Sequence, residues 1–218
     1  MRPMAVALLL LLCSAANALA APPITAAAFA PGGKQVLIGS QAGIEVLSWP
    51  ELKHVANIKT KLLHVHDLSF APDGKMLLAA GGSPGEKGSV EVLYWPKAEL
   101  QQTIGEHADL VYRVAWSPHG NQFATAGADG ICHVFDLSVK SLARFEGLSR
   151  AVLAIAFLPD GKRIVSAGVD QTLQLWDSSS GKLSRTLDNH LAPVNDLAVR
   201  PGSKPDQPPV VVSVSDDR

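Results

Sequence analysis

Five short segments of this chain align on one another without gaps, and each ends in proline: Ala26-Ala-Ala-Phe-Ala-Pro31, Asp67-Leu-Ser-Phe-Ala-Pro72, Arg113-Val-Ala-Trp-Ser-Pro118, Ala154-Ile-Ala-Phe-Leu-Pro159 and Asp196-Leu-Ala-Val-Arg-Pro201. The prolines lie 41, 46, 41 and 42 residues apart. Gly33, Gly74, Gly120 and Gly161 follow four of them by two residues, and Gly202 comes one residue early. A fixed period of this length marks a chain built from stacked repeats. Pro-x-Gly between apolar runs is hairpin chemistry, because proline presets φ and glycine supplies φ > 0.

Each turn leads into a further strand, a second turn and a third strand. In the fourth unit these are 163–167, the turn at Val169-Asp170, and 172–177 ending in Trp176-Asp177. The third unit matches it by position, with Gly127, Asp129 and Phe135-Asp136 standing where the fourth has Gly168, Asp170 and Trp176-Asp177. A last short strand such as 184–187 leads into the next unit. Four strands in about 41 residues predict an all-β fold of four-stranded antiparallel blades, not a βαβ unit. Inner strands are expected near 25–29, 65–70, 111–116, 152–157 and 194–199, with essentially no helix after residue 21.

Composition agrees with a globular core and narrows the partners. Apolar residues make up 47% and charged residues 18%, and 19 Lys+Arg against 20 Asp+Glu leave a formal charge of −1. Such a chain buries a core. It lacks the basic excess that nucleic-acid binding draws on, and no Lys/Arg run restores it, so no nucleic-acid partner is expected. The N-terminus reads as a signal peptide over 1–20: Arg2, an apolar run over 5–12, then small residues ending in Ala18-Leu19-Ala20. Cleavage is expected near Ala20/Ala21, giving an exported (periplasmic or extracellular) protein. The apolar run is too short for a stable membrane anchor, and Leu12 is too bulky for the residue before a lipidated Cys13. The mature chain then holds only Cys132, so it forms no internal disulfide, and Cys132 reads as a small buried apolar residue.

These residues resemble the WD40 repeat family over roughly 22–218. The resemblance implies a β-propeller, with blades at about 22–60, 61–104, 105–146 and 147–188 and a partial one at 189–218. Two columns support that geometry. The small residues Ala28, Ser69, Ala115, Ala156 and Ala198 suit inner strands where sheets converge, and the large residues Phe29, Phe70, Trp116, Phe157 and Val199 beside them suit the widening gap. The stretch 211–218 aligns with 164–171, so about four and a half blades are present and the ring is incomplete, as expected of a fragment of a longer protein.

The resemblance also implies a polar network in each blade, joining a His before the inner strand, a Ser/Thr in the second strand, a turn Asp and the Trp indole. The third unit offers His107, Thr125 and Asp129 with Phe135 in place of the Trp; the fourth offers Ser166, Asp170 and Trp176 with Leu148 in place of the His; the fifth offers His190, Ser213 and Asp217. The second has Lys61 at the His position. These are scaffold residues in this reading.

Catalytic and cofactor signals are sparse. His64, His66 and Asp67 suggest an alternating strand pair able to ligate an ion, but no carboxylate or Cys has ligand spacing to complete the set. No phosphate loop, nucleophile elbow or haem-attachment motif occurs, so no cofactor is implied. The loop 83–88, with Gly85, Glu86 and Lys87, lengthens the second unit at the end that the family often uses for partners, and reads either as a partner-binding loop or as an ordinary surface loop. Two functions stay open: a non-enzymatic, protein-binding scaffold outside the cytoplasm, or an exported hydrolase or redox enzyme whose chemistry lies in missing blades or a fused domain.

Overall fold

The computed structural model describes residues 22–146, 148–200 and 208–217. The signal segment 1–20, its cleavage site, Cys13, and the Pro201-Gly202 turn lie outside the described residues. Among the described residues there are eighteen strands and no helix.

Four sheets have four antiparallel strands in sequence order: β1 Ala26–Phe29, β2 Gln35–Ser40, β3 Gly43–Ser48 and β4 His54–Ile58; β5 Val65–Phe70, β6 Met76–Gly81, β7 Gly88–Tyr94 and β8 Glu99–His107; β9 Val111–Trp116, β10 Gln122–Gly127, β11 Cys132–Asp136 and β12 Ser141–Phe145; β13 Val152–Phe157, β14 Arg163–Gly168, β15 Leu173–Asp177 and β16 Leu183–Leu187. A fifth sheet pairs β17 Val194–Val199 with β18 Val211–Ser215. The first strand of each sheet packs on the first strand of the next, β1 on β5, β5 on β9, β9 on β13 and β13 on β17, so the sheets form an open arc with these strands on its inner wall.

The two columns of small and large residues interlock across neighbouring sheets. Phe70 packs among the residues of the first sheet that include Ala28, and Phe157 packs with Ala115. Trp116 reaches the second sheet, where its indole N–H donates to the Ser69 carbonyl at 3.1 Å. The large residues of the second, third and fourth sheets thus pack toward the small position of the sheet before. Apolar clusters between successive sheets supply most of the cohesion, with Leu37, Leu77, Leu78, Phe123 and Ile164 fully buried. Cys132 is buried among them, and desolvation pushes its thiol pKa up.

The Pro-x-Gly turns act between sheets as well as within them. Gly74 has φ +71°, and a Cβ there would stand 2.7 Å from Pro31 Cγ of the preceding sheet's turn. The same position therefore requires glycine twice, for its backbone and for the close approach of neighbouring turns. On the outer side of the fifth sheet, Val212 and Val214 are each 58% exposed.

Candidate functional site

The turns between second and third strands, and the connections entering each inner strand, lie together at one end of the arc. In the third sheet the polar groups of this end converge. His107 Nδ1 lies 3.1 Å from both Asp129 oxygens, and Nε2 lies 2.7 Å from Thr125 Oγ1. With its proton on Nδ1 donated to the carboxylate, the ring accepts the threonine hydroxyl at Nε2. Asp129 also accepts the Ala108 N–H at 2.9 Å and the Ile131 N–H at 3.1 Å. Burial opposes the charge on Asp129, but the His107 bond and charge and these two amides outweigh it and hold the carboxyl below its usual range.

The fifth sheet repeats this arrangement. His190 Nδ1 lies 2.8 Å from Asp217, its Nε2 lies 2.7 Å from Ser213 Oγ, and the Leu191 N–H donates to Asp217 at 2.9 Å. That amide first, and the His190 bond second, hold Asp217 below its usual range. In the fourth sheet only part of the set meets: the Trp176 indole donates to Ser166 Oγ at 2.8 Å. Asp170, which the family pattern would join to these two, instead accepts the backbone N–H and hydroxyl of Thr172 at 3.2 and 3.1 Å within its own turn. With Leu148 in place of histidine, no imidazole bridges the turn to the strand.

The second sheet solves the same problem with a residue the repeat pattern passes over. Glu91 is fully buried, and its Oε1 accepts the Lys61 N–H at 2.8 Å. A carboxylate in the third strand therefore holds the entry to β5, where the third sheet uses His107. The sequence signal was a charge inside the apolar run Val90-Glu91-Val92. The inner wall holds a second unanticipated set. Arg113 places Nη2 3.2 Å from Asp196 and Nη1 3.8 Å from Asp67, while its Nε–H donates to the Leu153 carbonyl at 3.3 Å. Asp67 also accepts the Val114 N–H at 3.0 Å. One guanidinium in the third sheet thus touches the second, fourth and fifth. Its signal was Asp67, Arg113 and Asp196 sharing the first position of the aligned segments.

The suspected His64/His66/Asp67 ligand pair takes another form. His64 sits in the bend before β5, outside the strand, and a register shift between Val65 and Asp67 breaks the alternation. Its ring stacks on His66 at 6.2 Å. Among the described residues, no group of three His, Cys, Asp or Glu side chains is placed to hold a metal ion.

The loop after β6 exposes Gly85, Glu86 and Lys87, while the Gly85 N–H donates to Asp109 Oδ1 of the next sheet's entry at 3.0 Å. It is therefore pinned to its neighbour at the same end as Asp129 and Asp170.

Sequential four-stranded antiparallel sheets, packed face to face with their first strands inward, define a protein of the propeller type. Residues 98–136 and 139–177 match the family model described as WD domain, G-beta repeat, so these two stretches of the chain are WD40 repeats. Each matched stretch takes the outer strand of one sheet and three strands of the next, β8 with β9–β11 and β12 with β13–β15, so the repeats are staggered against the sheets. No curated protein matches the chain.

Proposed function

We propose that this protein is a non-enzymatic scaffold that binds protein partners outside the cytoplasm. The observation carrying the reading is the exposed loop 83–88, held at the shared end of rigid WD40 sheets by the Gly85–Asp109 bond. Loops positioned by a stiff framework are where such folds recognise partners. Export is supported by Arg2, the apolar run 5–12 and Ala18-Leu19-Ala20. Shortening 83–88 is expected to remove at least one protein recovered with the intact chain in pull-downs from its native source; an unchanged set of partners refutes the role of this loop. Mass spectrometry of the exported form is expected to find an N-terminus near Ala21, and a soluble cytoplasmic form retaining Met1 contradicts export.

A further inference from the structure

The third strands of three successive sheets carry a polar residue at one register: Glu91 pairs with Ala79, His133 with Thr125 and Gln174 with Ser166. All three are buried, and each has at least one side-chain atom without a partner. In the second sheet this position holds an entry connection, since Glu91 accepts the N–H of Lys61, the residue aligned with His107. In the third sheet His133 stands at the same place against His107 itself, their rings perpendicular and 5.0 Å apart.

His133 is the member of this column that can gain a positive charge. It is 5% exposed and neither ring nitrogen has a partner. The charged groups around it are His107 from the end of β8, Asp129 from the turn after β10, and Arg144 across on β12, which pairs with Glu146 at 3.0 Å. Thr125 of β10 is already engaged by His107, and Cys132 beside it is a buried thiol. Burial first, then His107 and Arg144, oppose charge on His133 and lower its pKa to about 4, while Asp129 favours it. A protonated His133 is a buried donor that needs an acceptor, and Asp129 is the carboxylate of the cluster. Asp129 is occupied by His107 and by the Ala108 and Ile131 amides. The cluster has no slack, because even a Cβ at Gly127 would collide with His107 and Asp129. Charging His133 is therefore met by an exchange of partners at Asp129.

That exchange reaches the surface in one residue. Ala108 donates its N–H to Asp129, and the next residue, Asp109, accepts the Gly85 N–H that pins the loop 83–88. We propose that His133, His107 and Asp129 form a proton-operated latch: in acid Asp129 turns from the entry connection to the charged His133, and the loop 83–88 is released from the third sheet. The latch regulates partner binding on the reading that this loop binds partners, but it is tested on the loop alone, so the two fail separately.

The test follows the 15N-labelled chain by NMR from neutral pH into acid, recording the His133 imidazole nitrogens, the Gly85 and Ala108 amides, and the amides of Leu37 and Ile164 as markers of the core. One shared midpoint is expected for His133, Gly85 and Ala108, well below that of an ordinary histidine, with the core amides unmoved. His133→Gln, which gives the third sheet the residue the fourth carries as Gln174, is expected to remove this step from both Gly85 and Ala108. Asp109→Ala is expected to abolish the Gly85 step and keep that of Ala108. Should His133→Gln misfold, coincidence of the imidazole and Gly85 midpoints in the unaltered chain decides. A Gly85 step that survives His133→Gln belongs to Asp109 itself and overturns the proposal. So do separate midpoints for His133 and Gly85, a Gly85 amide indifferent to pH, or core amides that move together with the loop.

Discussion

The first two sheets and the next two close their third strands differently. In the third and fourth sheets an aromatic residue and an aspartate end the strand, Phe135-Asp136 and Trp176-Asp177. The aromatic faces the sheet stack: Trp176 lies parallel to Phe145 at 5.2 Å, and Phe135 stacks on Phe123 at 5.5 Å. The aspartate ties the following turn. Asp177 accepts the hydroxyls of Ser179 and Ser180, both at 2.7 Å, and the Ser180 N–H at 2.8 Å. Those bonds lower its pKa to about 2. In the first and second sheets Leu47-Ser48 and Leu93-Tyr94 occupy these places, and the aromatic follows as Trp49-Pro50 and Trp95-Pro96. These tryptophans turn back onto the inner-strand aromatics, Trp49 edge-on to Phe29 at 5.1 Å and Trp95 to Phe70 at 5.2 Å. The same sheet geometry is therefore reached with the aromatic inside the stack or at its edge. The family model matches β9–β11 and β13–β15, which use the first solution.

Removing the two kinds of tryptophan should separate these solutions most clearly. Trp176 is 2% exposed and bonded to Ser166, so Trp176→Ala is expected to cost about 3–5 kcal/mol. Trp49 is only partly buried, and Trp49→Ala is expected to cost less than half as much. Urea unfolding measures both, and equal losses would mean that the edge tryptophans carry as much of the core as the stacked one.

The polar networks give the next largest contrast. Asp129→Asn leaves His107 and two backbone amides facing a weaker acceptor in a buried place, for a loss of about 2–4 kcal/mol. Asp170→Asn disturbs only a local turn and is expected to cost under about 1 kcal/mol. Chemical denaturation of the pair checks whether a carboxylate matters for its place in the repeat or for its bonds. Nearly equal costs would overturn the second view.

The pH dependence sharpens the third sheet further. His133 is buried beside His107, with both ring nitrogens unpartnered. Desolvation first, and the nearby His107 and Arg144 next, lower its pKa to about 4. An unfolded histidine protonates near pH 6.5. Between these values the unfolded chain takes up a proton that the folded chain refuses, so stability falls as pH drops through the window, by up to about 3 kcal/mol. The lowered pKa of Asp129 acts further down: its contribution is complete above the usual carboxylate range and is lost as pH falls through the folded value. His133→Phe is expected to flatten the upper window and leave the lower one. A variant that keeps the full loss between pH 6.5 and 4 would place its origin in another group.

The repeat itself was fully legible, because proline spacing, turn glycines and the columns of small and large residues are local or periodic signals. The inner strands at Val65–Phe70, Val111–Trp116, Val152–Phe157 and Val194–Val199 stand where the pattern places them. The bonds of Glu91 to Lys61, and of Arg113 to Asp67, the Leu153 carbonyl and Asp196, were not legible, since each joins residues of separate strands or sheets through side-chain directions that spacing does not encode.

The smallest effect concerns the turn out of the third strand. Val139 holds φ 64°, where the fourth sheet's turn has Gly181 at φ 69°. A β-branched residue in the left-handed region pays about 1–2 kcal/mol, which glycine or asparagine largely avoids. Val139 also packs partly against the cluster between the second and third sheets, so some of that relief is lost with its side chain. Glycine gives back more in the freedom of the unfolded chain, and asparagine is the cleaner replacement. Val139→Asn is expected to stabilise by about 0.5 kcal/mol, read as a higher urea midpoint with an unchanged slope. A lower midpoint would show that this valine is kept for its packing, and that the third sheet accepts strain at its turn in exchange for contact with the second.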